Sequence, residues 1–319
     1  MRAKATFRSH GHGMRDKGRT RTKVMLTLLS KQPLPTCVCS ERESEILVYG
    51  EVLTTTWLTP SLIRVVLGGA GLDGFEMPED DTDAYVNIAV PPRGASYGPV
   101  LDPREVRETQ SREWWPARRR YTVRRWDAHA RQLTLDFVVH GDAGVGGPWA
   151  EAAQPGDALV FNGPGSGYRP DEKADWHLMV GDESALPAIA ASLERVHPGV
   201  RSVVRLVCDG PEHEVPLESP GDLDLRWLHR TEADPTPLLA AVESTPFPEG
   251  TVHAFIHGEA EETRDVRRHV LLERSVPDLS LSCSPYWRRG MSDEQWRSVK
   301  RDFVAAMNAE APHVVRGRS

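Results

Sequence analysis

The sequence predicts two domains, an antiparallel β-barrel followed by an α/β domain on a parallel sheet, and three observations carry that reading. Six short apolar runs between residues 45 and 170 are separated by Gly and Pro turns with no long helix among them, the pattern of a small barrel. After residue 171 strands alternate with helices, which gives a parallel sheet with any ligand at the carboxyl ends of its strands. With 319 residues, 39% of them hydrophobic, the chain is long enough to bury two modest cores.

Taken in order, residues 1–44 form a basic arm. Residues 1–31 hold nine Lys or Arg and one acid, Asp16, which leaves 30 basic and 45 acidic residues, a net of −15, for the rest of a chain whose total is −7. An acidic body repels nucleic acid and anionic membrane, so neither is expected as a partner. The arm has no periodicity, and its Gly, Arg and Ser content fits a disordered segment or an overlong start, with Met14 and Met25 as alternative starts. No stretch nears the roughly 20 apolar residues of a membrane span. Val24–Leu29 is interrupted by Thr27 and lacks a small-residue cleavage site, so no signal peptide is expected and the chain is assigned to the cytoplasm. Cys37, Cys39, Cys208 and Cys283 show neither C-x-x-C spacing nor a histidine ladder, so no metal site is expected.

In residues 45–170 the strands are Ile46–Gly50, Leu62–Leu67, Ala84–Val90, Arg119–Trp126, Leu133–Val139 and Ala158–Phe161, while Pro91 to Pro116 reads as an aperiodic loop over the barrel edge. In residues 171–310 the strands are Trp176–Val180, Val203–Val207, Leu223–Leu228 and Thr251–His257, with helices over Ala185–Val196, Pro237–Glu243 and Glu261–Glu273. Ser292-Asp293-Glu294-Gln295 is a capping-box start to a last helix. Its Trp296, Val299, Phe303 and Met307 make one apolar stripe, expected to pack in the core. Residues 311–319 are a tail.

The chemistry concentrates in Arg119-Arg120-Tyr121-Thr122-Val123-Arg124, followed by Asp136-Phe137-Val138-Val139-His140-Gly141. A fixed cation for a pyrophosphate, an aromatic face for an isoalloxazine ring and a hydroxyl for its N5 are what a flavin dinucleotide needs. On a strand Arg119, Tyr121 and Val123 share one face, so Thr122 can address the same ring only from the strand end or edge. The glycine turn Gly144-Val145-Gly146-Gly147-Pro148 then leads into a short helix, Trp149 to Ala153, whose first amides suit a diphosphate.

Together with Gly163 to Gly167, Gly181-Asp182-Glu183-Ser184-Ala185-Leu186-Pro187-Ala188, His257-Gly258-Glu259-Ala260 and Tyr286-Trp287-Arg288-Arg289-Gly290, these motifs resemble those of the siderophore-interacting protein family. That family comprises flavin-dependent ferric-siderophore reductases related to the ferredoxin reductases. The resemblance implies FAD, with Arg119 on its pyrophosphate, Tyr121 against its ring and Thr122 as the catalytic contact to N5. It also implies His140 and Gly141 bordering the dinucleotide, Asp136 as a further cofactor contact, and Gly146, Gly147 and Trp149 completing the phosphate turn.

Two departures from the family bear on this. Gly144-Val145-Gly146-Gly147 stands where the family usually has Gly-Pro-Ala-Ser or a similar turn, which leaves amides without a hydroxyl. Asn87 stands where the family often carries a lysine beside the flavin pocket, so attraction of an anionic ferric siderophore falls to Arg124, Arg288 and Arg289.

The electron donor is NADH, NADPH or ferredoxin. No G-x-G-x-x-G follows the first strand of the second domain, and Gly181 with Ser184 and Ala185 at a strand-to-helix turn is the remaining candidate phosphate contact. The acidic run Cys208 to Glu214 disfavours a 2′-phosphate. The alternatives are a general NADH-dependent flavin or ferredoxin-type reductase and a non-enzymatic iron-chelate binding protein.

Overall fold

The computed structural model describes residues 47–141 and 144–311. The basic arm, Cys37 and Cys39, and the tail beyond 311 lie outside the described residues.

Strands β1 (Val48–Thr59), β2 (Leu62–Gly68), β3 (Tyr85–Val90), β4 (Ala117–Asp127), β5 (Gln132–Val138) and β6 (Ala158–Gly165) close into an antiparallel barrel in the order β1-β2-β5-β4-β3-β6. Alternation along each strand does this: Val86 and Ile88, Val65 and Leu67, and Leu133 and Leu135 point inward and are fully buried. All six expected strands are present. β6 runs through Gly163 and Pro164, which the sequence pattern marks as a closing turn. Its pairing to β1 stops at Phe161, so Pro164 lies where only β3 needs partners and its missing N–H is tolerated.

The segment between β3 and β4 is not a featureless loop. It contains helix α1 (Pro103–Thr109), with Asp102 as N-cap accepting from the Arg104 amide and Pro103 at the first position. Val106 and Leu101 cover Ala89 and Val160 on the outside of the barrel. Val106 is the one buried residue of this helix, and a single apolar position shows no period in the sequence. Helix α2 (Gly146–Ala152) follows β5 and buries Ala150 against the barrel core.

The second half is a five-stranded parallel sheet in the order β11-β10-β7-β8-β9, formed by β7 (Trp176–Asp182), β8 (Arg201–Cys208), β9 (Asp222–His229), β10 (Val252–Glu259) and β11 (Leu281–Trp287). Helices α4 (Leu238–Glu243) and α5 (Ala260–Leu272) cover one face. Helix α3 (Leu186–Leu193) covers the other, where Leu62 and Tyr168 join its core. Strand β11 was not anticipated: Ser282, Ser284 and Pro285 are poor strand formers, and the segment is stable as an edge strand that pairs with β10 alone.

Helix α6 (Asp293–Ala309) has the expected capping box between Ser292 and Gln295. Its apolar stripe departs from expectation: Trp296 and Met307 are buried, but Val299 is 36% exposed and Phe303 lies under the guanidinium groups of Arg264 and Arg288. Only the two ends of the stripe find a core.

Candidate functional site

The closed barrel parts at one end of its β4–β5 seam. β4 pairs with β5 only from Val123 onward, so its Ala117–Thr122 half pairs with β3 alone, and Asp136–Val138 of β5 pairs with β2 alone. The slot between these two free edges is filled by the Tyr121 ring, which packs 4.2 Å from Phe137, and by Trp149, 5.4 Å from Phe137 on its other side. Burial raises the Tyr121 phenol far above its ordinary range, so it stays neutral.

Helix α2 begins against this slot. A Cβ at Gly146 would overlap the Tyr121 hydroxyl, and one at Gly147 would lie 3.0 Å from the Val138 carbonyl oxygen, so only glycine lets the turn approach this closely. Val145 caps the helix without a side-chain acceptor and Pro148 has no amide, so the first-turn N–H groups without a partner among the described residues are those of Gly146 and Gly147. Two amides against Tyr121, with Arg119 on the same face of β4 as that ring, form a cradle suited to an anion with a ring attached, which fits FAD.

Thr122 pairs with Tyr85 and turns to the outer face with Arg120, while Tyr121 and Arg119 sit opposite Val86 and Ile88. The free edge of β4 is thus the place from which both Tyr121 and Thr122 are reachable. Arg119 is held by α6: Nη1 is 3.1 Å from Asp293 Oδ2, and Nη2 donates to Glu294 Oε1 at 2.7 Å.

Across the slot lie the carboxyl ends of the parallel strands, organised by one buried carboxylate. Asp182, 1% exposed, accepts from the Ser184 amide (2.8 Å) and hydroxyl (2.5 Å) through Oδ1. Its Oδ2 accepts from the Glu259 amide (2.8 Å) and Trp287 Nε1 (2.7 Å). The three motifs after β7, in β10 and in β11 are therefore tied to a single side chain. Trp287 faces His140, with ring centroids 6.4 Å apart. Glu183 holds Arg230 bidentately at 2.6 and 2.7 Å, and Asp209 takes Arg230 at 2.9 Å.

Known proteins give this arrangement its context. Residues 51–168 match the siderophore-interacting FAD-binding domain, and residues 174–290 match the siderophore-interacting protein model. The chain belongs to the siderophore-interacting protein family. It is similar to ferric vibriobactin reductase of Vibrio cholerae, 36% identical over 247 residues, which is 76% of this chain and 90% of that protein. It is also similar to the NADPH-dependent ferric-chelate reductase of Escherichia coli, 29% identical over 74% of this chain and 91% of that one. The crystal structure of the siderophore-interacting protein SipS from Aeromonas hydrophila superposes with a TM-score of 0.70 at 27% identity, covering 82% of this chain and all of that one. No helix among the described residues is long and apolar enough to cross a membrane.

Within this siderophore-interacting fold, several residues singled out from sequence lie elsewhere or are otherwise engaged. Asp136 is 4% exposed, and both its oxygens are taken by Arg64 at 2.7 and 2.8 Å on the outer face of the barrel, so it is an internal ion pair with no donor or acceptor left for a cofactor. Ser184 turns its amide and hydroxyl inward to Asp182, and the Ala185 amide donates to the Asp182 carbonyl, so this turn offers neither group to a phosphate. Arg124 is paired with Glu194 of the segment after α3. Arg288 is paired with Glu261 over the Phe303 ring, and Arg289 donates to the Pro235 carbonyl. None of the three is a free cation beside the slot.

A second group of cations is one the sequence pattern did not mark. Arg118 and Arg120 of β4 and Arg297 and Lys300 of α6 lie within electrostatic range of one another, with Arg297 also paired to Asp293 and Arg118 donating to Asn162. Arg120 lies 5.3 Å over the Tyr85 ring, Arg297 donates to the Arg118 carbonyl at 2.6 Å, and Arg120 stands opposite Asn87 across the ladder. Burial, reinforced by Arg120 and Arg297, lowers the Lys300 pKa, and burial with Arg107 and Arg297 lowers that of Arg118. The i, i+4, i+7 spacing of Asp293, Arg297 and Lys300 along a line flanking the apolar stripe was the available signal.

Below Asp182, Glu262 is 3% exposed and its Oε2 has no hydrogen-bond partner among the described residues. Burial first, then the carboxylates of Asp182 and Glu259, push its pKa from 4.5 to about 7. Because the folded pKa is raised, its contribution to stability is full below about pH 4.5 and is lost as pH rises through about 7. Glu262→Gln should therefore gain stability relative to the parent across that window, by up to about 3 kcal/mol above it. Urea unfolding of both proteins at pH 5 and pH 8 checks this; an equal difference at the two pH values would refute it.

Proposed function

We propose that this protein is a FAD-dependent reductase of ferric siderophores, with the dinucleotide held in the slot between the free edges of β4 and β5. The observation that carries the reading is the Gly146–Gly147 cradle, closed to any larger residue by Tyr121 and Val138, with Arg119 on the same strand face as Tyr121, in a chain whose family is built on a FAD-binding domain. Arg119 and the two amides would hold the pyrophosphate, Tyr121 would back the ring, and the Thr122 hydroxyl would hold a proton at the ring edge. Bound FAD would supply the coupling between a two-electron donor and a one-electron ferric acceptor. Hard oxygen chelators hold ferrous iron less tightly, so reduction favours release.

Arg118, Arg120, Arg297 and Lys300 would receive the anionic chelate, in place of the three arginines expected from sequence. On the donor side, the Arg230 guanidinium is already neutralised by Glu183 and Asp209, so a 2′-phosphate finds no free cation there and NADH is the pyridine nucleotide the crevice suits. Anaerobic mixing of the FAD-loaded protein with NADH, NADPH or reduced ferredoxin, followed by ferric chelate, tests the reading; failure of any donor to support chelate reduction would overturn it. With the same assay, Arg297→Ala and Lys300→Ala should each raise the KM for an anionic ferric chelate a few-fold, with the effect shrinking as salt rises, and leave a neutral chelate unchanged. Equal losses for both chelates would remove this cluster from the acceptor site.

A further inference from the structure

Arg119 and the first turn of α6 lie 174 and 175 residues apart in sequence, yet the geometry between them is specific. Nη1 donates to the Arg118 carbonyl at 3.0 Å and lies 3.1 Å from Asp293, and Nη2 donates to Glu294 at 2.7 Å. The end of the guanidinium fork is thereby occupied. Its side-on edge, formed by Nε–H and the second hydrogen of Nη2, takes no further partner among the described residues. That edge is competent to grip an oxyanion bidentately, as Arg64 does in this protein when it holds Asp136 through Nε and Nη2. The helix turn that carries these carboxylates is well anchored. They sit in the first turn of a capped helix, where acids are favoured by the helix dipole. Arg297 Nε lies 2.8 Å from Asp293, and Trp296 Nε1 donates to the Tyr286 carbonyl, which pins the turn to β11.

We propose that Asp293 and Glu294 are positioning residues for the cofactor, holding Arg119 by the end of its fork so that the side-on edge is preset for the dinucleotide's phosphate. This rests on the reading of Arg119 as a phosphate ligand. A long side chain fixed before binding loses less freedom when the anion arrives, so the carboxylates raise affinity although they carry the same sign as the ligand. Because they act through Arg119, their effect must vanish when Arg119 is removed.

The test is a double-mutant cycle on FAD affinity, read by quenching of FAD fluorescence on full-length protein stripped of flavin, with thermal unfolding measured alongside. In the Arg119-containing background, Asp293→Asn with Glu294→Gln should weaken FAD about three- to tenfold. In the Arg119→Ala background the same pair should change nothing. Tighter FAD binding after the pair is neutralised would mean that the carboxylates compete with phosphate, and would overturn the proposal. An equal loss in both backgrounds, accompanied by a lower unfolding temperature, would assign them to anchoring α6 and also overturn it, as would no change at all. If Arg119→Ala alone leaves affinity intact, the phosphate reading of Arg119 fails and takes this proposal with it; if Arg119→Ala weakens FAD and the pair does not, only the proposal fails.

Discussion

Arg119→Ala is expected to lower FAD affinity roughly ten- to a hundredfold, because a charge-assisted contact to a phosphate is worth about 1.5–3 kcal/mol. The protein should purify with little flavin while keeping its fold, since the Arg119 side chain is partly exposed and its neighbours Asp293 and Glu294 can turn to water or to Arg297. Arg119→Lys should recover only part of the loss, because an ammonium cannot bridge two carboxylates and an anion in one plane. The measurement is flavin occupancy by absorbance after extended dilute dialysis. Full occupancy in Arg119→Ala would dissociate this arginine from the cofactor.

Gly146→Ala should do comparable damage by a different route. Its methyl group would overlap the Tyr121 hydroxyl and stand 2.9 Å from the ring's Cζ, and the retreat of the ring is limited by Phe137, 4.2 Å away and itself backed by Trp149. Either α2 or Tyr121 must move, at a cost of about 1–3 kcal/mol, and both border the slot. Lower stability together with loss of bound FAD is the expected result. Gly167→Ala, where a Cβ meets nothing within 4 Å, serves as the control. A Gly146→Ala protein with parental melting temperature and parental flavin content would show that the close approach is not required.

The barrel was legible because each strand alternates cleanly: Val86 and Ile88 against Asn87, or Leu133 and Leu135 against Thr134, leave one register that buries the apolar side. The parallel sheet was legible except for β11, whose Ser and Pro content reflects its edge position, a fact that only the fold reveals. The close approach of the Gly146–Gly147 turn to Tyr121 was legible in the residue types, and the roles assigned to Arg119, Tyr121 and Thr122 stand as proposals. The site was not legible where the outcome depended on a remote partner. Arg124, Arg288 and Arg289 look as available in sequence as Arg118 and Arg297, and which partner each one meets, Glu194, Glu261 and the Pro235 carbonyl for the first three, Asn162 and Asp293 for the last two, is set by remote segments. The internal partners of Asp136 and Ser184 were hidden for the same reason, since an acceptor or hydroxyl beside a motif says nothing about which way it turns.

Leu62 carries a consequence for how the molecule moves. It sits at the β1–β2 turn of the barrel, 2% exposed, and packs in the same cluster as Ile189 and Leu193 of α3, Met179 of β7 and Phe255 of β10, with Leu58 and Val138 alongside. The two halves thus share a hydrophobic seam where many two-layer enzymes have only a wet interface. Wide hinge opening would strip that seam bare, so ligand entry and exit are left to short segments around the slot, and the two halves are bound to unfold as one cooperative block instead of melting in turn.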